Sequence, residues 1–298
     1  MDLENPRPFW NKHILRDRFL LGIVRMIARK NKYFSESCDS PPFAEHVQGV
    51  TFELPEVDGE GLYEFEVETL AGKMDAAISI HQWKGYNAPT VVYHHGASVH
   101  PFDESFKQVF PPEFSVNANL IVIRSPFHRK SSSELWEAAV HLSKYIALMA
   151  VSVEVTERVL SFLVKTSNTV VAGYSLGGFI TNRHHMQYNT AGAYIPFMAG
   201  TAHAEIFLTT WKAAPEAVEN AQVLRDHLNF DQEWAAKPHE NVFPVLGLYD
   251  VLNLYETQGQ SYGDVPVEVW EVGHLPGTAS YHKLREKILR HLPGLTSP

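Results

Sequence analysis

The chain has 298 residues, 45% of them hydrophobic, which suits one compact domain with a large core and gives no sign of disorder. Its formal net charge of −9 argues against nucleic acid as a general partner, because phosphate binding needs a basic surface. The one cysteine, Cys38, cannot form an internal disulfide, which fits a reducing compartment.

The first 33 residues depart from this acidic balance, with eight lysines and arginines against Asp2, Glu4 and Asp17. From about Asn11 to Lys32 the periodicity predicts a helix with Leu15, Phe19, Ile23 and Met26 on a broad apolar face and Arg18, Arg25 and Arg29 opposite. This helix belongs to an N-terminal extension over residues 1–48, with the main domain over 49–298. A basic amphipathic helix fits peripheral contact of residues 11–32 with a membrane or a partner. It equally fits packing on the body of its own chain, the reading adopted here. The apolar run from Phe19 to Val24 is short and lies among arginines, so neither a signal peptide nor a membrane span is expected, and the expected location is cytoplasmic.

Short strands separated by Gly and Pro are predicted around Val50 to Leu54, Leu62 to Glu68 and Ala76 to Trp83. The alternation from Tyr63 to Glu68 marks a half-exposed edge. Thr90-Val91-Val92-Tyr93 reads as a buried strand leading into His94-His95-Gly96-Ala97-Ser98, and Asn119 to Arg124 repeats the buried pattern. A long helical region follows from about Ser132 to Lys165, with Ser131, Ser132 and Ser133 supplying capping oxygens. Buried strands alternating with helices predict an α/β fold: a mostly parallel central sheet with helices on both faces and ligand beyond the strands' carboxyl ends.

The most informative stretch is Val170-Val171-Ala172-Gly173-Tyr174-Ser175-Leu176-Gly177-Gly178, an apolar strand running into GxSxG with a helix-like segment behind it. A hydroxyl needs a neighbouring base to attack at neutral pH, and a tight strand-to-helix turn exposes it to both base and substrate. Further strands are predicted near Gly192 to Met198, over the run from Phe243 that ends in the acid Asp250, and over Val265 to Trp270 before Gly273-His274, and a helical tail follows from about Tyr281 to His291.

These pieces together resemble the α/β-hydrolase superfamily of serine hydrolases. The resemblance implies a nucleophile at Ser175, an acid at Asp250 and a base at His274, in the chain order that this fold uses. Asp231, Asp264 and Glu256 are alternatives for the acid. The His95-Gly96 step is similar to the loop after the family's third strand, which assigns the backbone N–H groups of Ala97 and Leu176 to an oxyanion hole. His95, Tyr174, His128, His203 and Trp211 are candidate pocket-lining residues.

Some forty residues at about 201–241 are more than the minimal fold needs and form a candidate cap. Phe207, Leu208, Trp211, Phe230 and Trp234 lie there among acidic residues, so the segment either covers a site for a substrate with a hydrophobic acyl or aromatic part or packs onto the core. Sixteen histidines invite a metal hypothesis. The adjacent pairs His94-His95 and His184-His185, however, diverge in any regular element, and neither HExxH nor a Cys-rich spacing occurs. No metal and no cofactor is expected. The reading is a carboxylesterase-like serine hydrolase acting on a small-molecule ester. Thioesterase, amidase or peptidase, and acyltransferase chemistry share the same parts, and a non-catalytic ligand-binding or membrane-surface module is the reading from another class.

Overall fold

The computed structural model describes residues 11–27, 32–97, 99–131, 133–164, 167–210, 213–275 and 278–292. In chain order the elements are helices α1 (Lys12–Ile27) and α2 (Phe43–Gln48), strands β1 (Gly61–Val67), β2 (Met74–Gln82) and β3 (Thr90–His94), helix α3 (Glu104–Val109), strand β4 (Asn119–Arg124), and helices α4 (Glu134–Ala138) and α5 (Leu142–Arg158). There follow β5 (Thr169–Tyr174), α6 (Leu176–Gln187), β6 (Ala193–Phe197), α7 (Pro215–Glu219), α8 (Ala221–Leu228), α9 (Asp231–Trp234), β7 (Val245–Gly247), α10 (Tyr255–Ser261), β8 (Glu268–Trp270) and α11 (Thr278–Arg290).

The strands form one sheet in the order β1-β2-β4-β3-β5-β6-β7-β8. β1, β2 and β4 pair antiparallel in sequence, and every pair from β4 through β8 is parallel. Strands such as Leu120-Ile121-Val122-Ile123 and Val170-Val171-Ala172 carry apolar side chains at every position because both faces are covered. On one face Val92, Ile121 and Val171 join the core of α5 and α6, while on the other Val91, Val122 and Val170 pack with Phe106 of α3 and Leu284 of α11. The chain leaves β3 for β4 on one side and returns to β5 on the other. A crevice therefore opens beyond the carboxyl ends of β3 and β5, where open α/β sheets bind ligands.

Local predictions give way in several places. Val50 to Leu54 is not a strand: it meets the sheet at one bridge, Thr51 to Glu68, before Pro55 ends the run. The helical region after residue 132 is broken at Ala139–His141, where Phe34 and Glu36 donate N–H groups to the carbonyls of Ala139 and Val140. Ser133 occupies the cap position of α4 without a side-chain cap hydrogen bond, and the Glu134 carboxylate instead accepts the Lys130 N–H at 2.7 Å. Ser132 lies outside the described residues.

The N-terminal helix packs on a different face from the one its apolar stripe suggests. Leu15 and Phe19 are 41% and 69% exposed, whereas Ile14 and Asp17 are buried. Ile14, Asp17 and Leu21 follow one another at spacings of three and four, and together they turn toward the body of the protein. The side chains of Ile23 and Met26, and all of Arg29, lie outside the described residues. No described helix is long and apolar enough to cross a membrane.

Candidate active site

Ser175 sits at the turn from β5 to α6 with φ +56° and ψ −114°, a conformation that a residue with a Cβ rarely adopts. Two glycines allow the turn. A Cβ on Gly173 would run into the backbone of Gly177, and one on Gly177 would run into the His94 carbonyl. The Ser175 N–H is tied to the Phe197 carbonyl at 2.9 Å, and its side chain is held out at the crevice.

Two residues from the far end of the chain meet it. His274, just past β8, places Nε2 3.0 Å from Ser175 Oγ and Nδ1 2.8 Å from Asp250 Oδ2. Asp250, just past β7, is fully buried, and its other oxygen accepts the N–H groups of Leu252 and Asn253 at 2.8 Å each. With Asp250 accepting at Nδ1, the imidazole proton sits there and leaves Nε2 as the acceptor for the Ser175 hydroxyl. Burial disfavours the charged imidazole, but the charge and hydrogen bond of Asp250, with Asp17 behind, outweigh it and hold His274 above the ordinary histidine range. The alternative acids do not take this place. Asp231 and Asp264 line a separate surface hollow, and Glu256 lies on α10.

The loop after β3 closes the other side. Ser125 donates its N–H to His95 Nε2 at 3.1 Å, so the proton of that ring is on Nδ1, which donates to the Gly96 carbonyl at 2.9 Å. A trans peptide points its N–H opposite to its carbonyl, so this bond also fixes the direction of the Ala97 N–H. His128 Nε2 lies 2.8 Å from the Ala97 carbonyl and braces the next peptide, and its Nδ1 faces the Pro126 carbonyl at 2.9 Å. Among the described residues neither the Ala97 nor the Leu176 N–H has an acceptor. Both remain available to an oxygen beside Ser175, and a Cβ placed on Gly96 would lie 3.9 Å from the Ser175 Cβ.

A cavity of about 450 Å³ opens from Ser175, Gly96 and Ala97. Tyr33, Tyr145, Phe179 and Phe207 form an aromatic wall, with the Tyr33 and Phe207 rings 4.7 Å apart and His203 stacked on Phe179 at 3.9 Å. His203 Nε2 meets the Tyr145 hydroxyl at 3.0 Å, and burial, with Arg183 nearby, pulls the His203 pKa down to about 3. This ring is therefore a neutral, apolar-facing wall element at physiological pH. Leu21 of α1 lines the cavity as well.

The candidate lining residues divide accordingly. Tyr174 and His203 line the cavity. His95 and His128 do not, because both rings are drawn under the loop by backbone partners. Trp211 lies outside the described residues. Within 201–241, Phe207 faces the cavity, but Phe230 lies under Arg183 at 4.1 Å and Trp234 stacks on His239 at 3.8 Å, so these two pack on the body. His94 and His184 take separate partners, Thr156 Oγ1 at 2.9 Å and the Tyr194 hydroxyl at 3.1 Å. Among the described residues no group of three His, Cys, Asp or Glu side chains is arranged to hold an ion.

One residue beside the site was not singled out by the sequence. Asp17 of α1, fully buried, accepts the backbone N–H groups of His274 and Leu275. The signal available was an acid three residues after Ile14 and four before Leu21, in an otherwise apolar register.

No family model matches the sequence, and no curated protein matches it. Solved structures do match. Acetyl xylan esterase 1 from Thermoanaerobacterium sp. JW/SL YS485 superposes with a TM-score of 0.58 at 11% identity, over 90% of this chain and 98% of that one. The S-formylglutathione hydrolase from Agrobacterium tumefaciens gives 0.52 at 12% identity, over 83% and 100%. The acylaminoacyl peptidase of Pyrococcus horikoshii gives 0.53 at 12% identity, over 81% of this chain and 43% of its own. At such identities the likeness speaks for the fold alone: the chain has the α/β-hydrolase fold.

Proposed function

We propose that the protein is a serine hydrolase that cleaves a carboxylic ester through an acyl-enzyme on Ser175. The observation that carries this reading is the unbroken hydrogen-bonded line from Asp250 Oδ2 to His274 Nδ1, and from His274 Nε2 to Ser175 Oγ, at 2.8 and 3.0 Å. Its supports are the residues already described and the fold shared with proteins described as esterases.

As Ser175 Oγ bonds to the ester carbonyl carbon, His274 Nε2 takes the hydroxyl proton and the carbonyl oxygen becomes an oxyanion. The N–H groups of Ala97 and Leu176 receive that charge, which is absent from the bound ester and so lowers the barrier selectively. The tetrahedral carbon then expels the alkoxide, which takes the proton from His274. Water enters, gives a proton to His274, attacks the acyl carbon and releases the acid as Ser175 recovers its hydrogen.

The cavity suggests the substrate class. At about 450 Å³, walled by Tyr33, Tyr145, Phe179 and Phe207, it has room for a group much larger than acetyl and few polar atoms to pair with a sugar or peptide. The substrate is thus an ester with a medium-length or aromatic apolar part. Thioesters, amides and acyl transfer to an alcohol use the same groups, and a substrate panel ranks them.

The test is covalent labelling with a fluorophosphonate, with Ser175→Ala as control. Labelling confined to the wild type supports the reading. A wild-type protein that stays unlabelled and turns over no ester overturns it.

A further inference from the structure

α1 lies outside the sheet and the helices that cover it, yet it sends a carboxylate into the protein directly behind the residue proposed as general base. Asp17 has no exposed surface. A carboxylate withdrawn from water needs donors, and those it finds are the main-chain N–H groups of His274 and Leu275. Arg16, its neighbour on the same helix, approaches at 3.7 Å and donates to the Leu275 carbonyl. The fit is close, since a Cβ at position 273 would collide with the Asp17 carboxylate and only the glycine present there leaves room. From the opposite side the Tyr174 hydroxyl donates to the His274 carbonyl at 2.6 Å. The main chain of His274 is thus held at both ends, by β5 and by the N-terminal helix.

We propose that Asp17 is a positioning residue for His274, fixing its backbone and supplying a second negative charge behind the imidazole that forms the imidazolium during attack. The inference rests on the reading of Ser175, Asp250 and His274 given above and adds the N-terminal helix to that machinery. Its geometric part follows from the tolerance of proton transfer, since a displacement of about 1 Å at the reacting atoms costs roughly 10²-fold in rate. Its electrostatic part follows from the charges around the ring. His274 faces Asp250 from the loop after β7, Asp17 from α1 and the Ser175 hydroxyl from β5, with the neutral Tyr174 phenol beside it and the Arg16 cation 3.7 Å from Asp17. Two carboxylates against one imidazole favour its protonated form. Burial raises the Asp17 carboxyl above its ordinary range, and the two N–H groups and the His274 charge work to keep it ionised.

A helix anchor with no part in the chemistry would change stability alone. The discriminating variant is Asp17→Asn, nearly the same shape without the charge, read by kcat and by the rate of fluorophosphonate labelling across pH. Both are expected to fall by roughly 10- to 100-fold on their high-pH plateau. The acid limb is expected to move to lower pH by on the order of one unit, because the imidazolium has lost a stabilising charge. Asp17→Ser, which admits water to the two N–H groups, is read beside it, so that either folded variant decides. Unchanged plateau and unchanged limb in a folded variant overturn the proposal, as does a lower plateau with an unmoved limb. Failure of the wild type to label overturns the Ser175 reading instead, and the two failures are distinct.

Discussion

Asp250 offers His274 only one of its two carboxylate oxygens: Oδ2 lies 2.8 Å from Nδ1, while Oδ1 is occupied by the N–H groups of Leu252 and Asn253. Turning the carboxylate plane away from them would leave these two main-chain donors unpaired.

This arrangement makes Asp250→Asn severe. An amide there keeps its oxygen on the Leu252 and Asn253 N–H groups and so presents its NH₂ to His274 Nδ1. The imidazole must then carry its proton on Nε2, the atom that takes the Ser175 proton in the proposed cycle. A loss in kcat of about 10⁴-fold is expected, with the fold intact, as in the serine-protease example of the same substitution. Steady-state kinetics and a thermal melt check it, and a loss under tenfold would contradict the assignment of Asp250.

The pH profile follows from the direction of the His274 shift. Its pKa is held above the ordinary histidine range, and the base form is the one that acts in the proposed cycle, so activity should be lost as pH falls through that raised value. The acid limb of kcat/KM should therefore lie above about 6.5, the usual histidine value. A limb well below it would mean that burial wins over Asp250 and Asp17 at this ring.

Backbone strain at Ser175 predicts an opposition between activity and stability. Alanine and glycine both remove the hydroxyl and should both abolish labelling. Only glycine relieves φ +56° with ψ −114°, which costs a residue with a Cβ about 1–3 kcal/mol. Against this stands glycine's greater freedom in the unfolded chain, about 0.4–1 kcal/mol. Ser175→Gly should melt above Ser175→Ala, by on the order of 1 kcal/mol in chemical denaturation. A Ser175→Gly protein that melts below Ser175→Ala, by the roughly 0.4–1 kcal/mol of glycine's freedom alone, would show that the turn is unstrained.

Much of this site was legible because its residues announce themselves locally. The apolar run from Val170 ends in Gly173-x-Ser175-x-Gly177, and the steric need for both glycines is a property of the turn itself. Asn119 to Arg124 is buried on both faces and reads as a strand from composition alone. The misread elements depend on partners distant in the chain. Leu15 and Phe19 look like an inward face, but α1 docks through Ile14 and Asp17, because a carboxylate can be buried once the His274 loop offers two N–H groups. No helical periodicity reports such an offer from more than 250 positions away. His95 and His128 are similar: their place near the pocket follows from order along the strands, but the distant backbone partners of their Nε2 atoms, the Ser125 N–H and the Ala97 carbonyl, appear only when β3 and β4 lie side by side.

Those two rings predict a selective loss. His95→Ala removes the donor that directs the Gly96 carbonyl and leaves the Ser125 N–H unpaired as well. The Ala97 N–H then loses its fixed aim. Removing an oxyanion donor outright costs about 10²- to 10³-fold, so misdirecting one should lower kcat by up to about 10²-fold with KM nearly unchanged. A rise in KM at constant kcat would instead place His95 in ground-state binding.

The aromatic wall predicts how rate depends on acyl length. If the acyl chain enters the cavity bounded by Tyr33, Tyr145 and Phe207, each added methylene leaves water for an apolar surface. That transfer is worth about 0.8 kcal/mol, so kcat/KM should rise about fourfold per methylene from acetyl upward until the cavity is full. Phe207 supplies the wall where its ring meets both Tyr33 and Tyr145, at 4.7 and 5.4 Å. Phe207→Ala should therefore move the optimum to longer chains while leaving acetyl esters little changed, since a short acyl group does not reach that far. A p-nitrophenyl ester series from acetyl to decanoyl, run on both proteins, measures the two slopes. A flat wild-type series would place the apolar part of the substrate outside this cavity, on the alcohol side of Ser175.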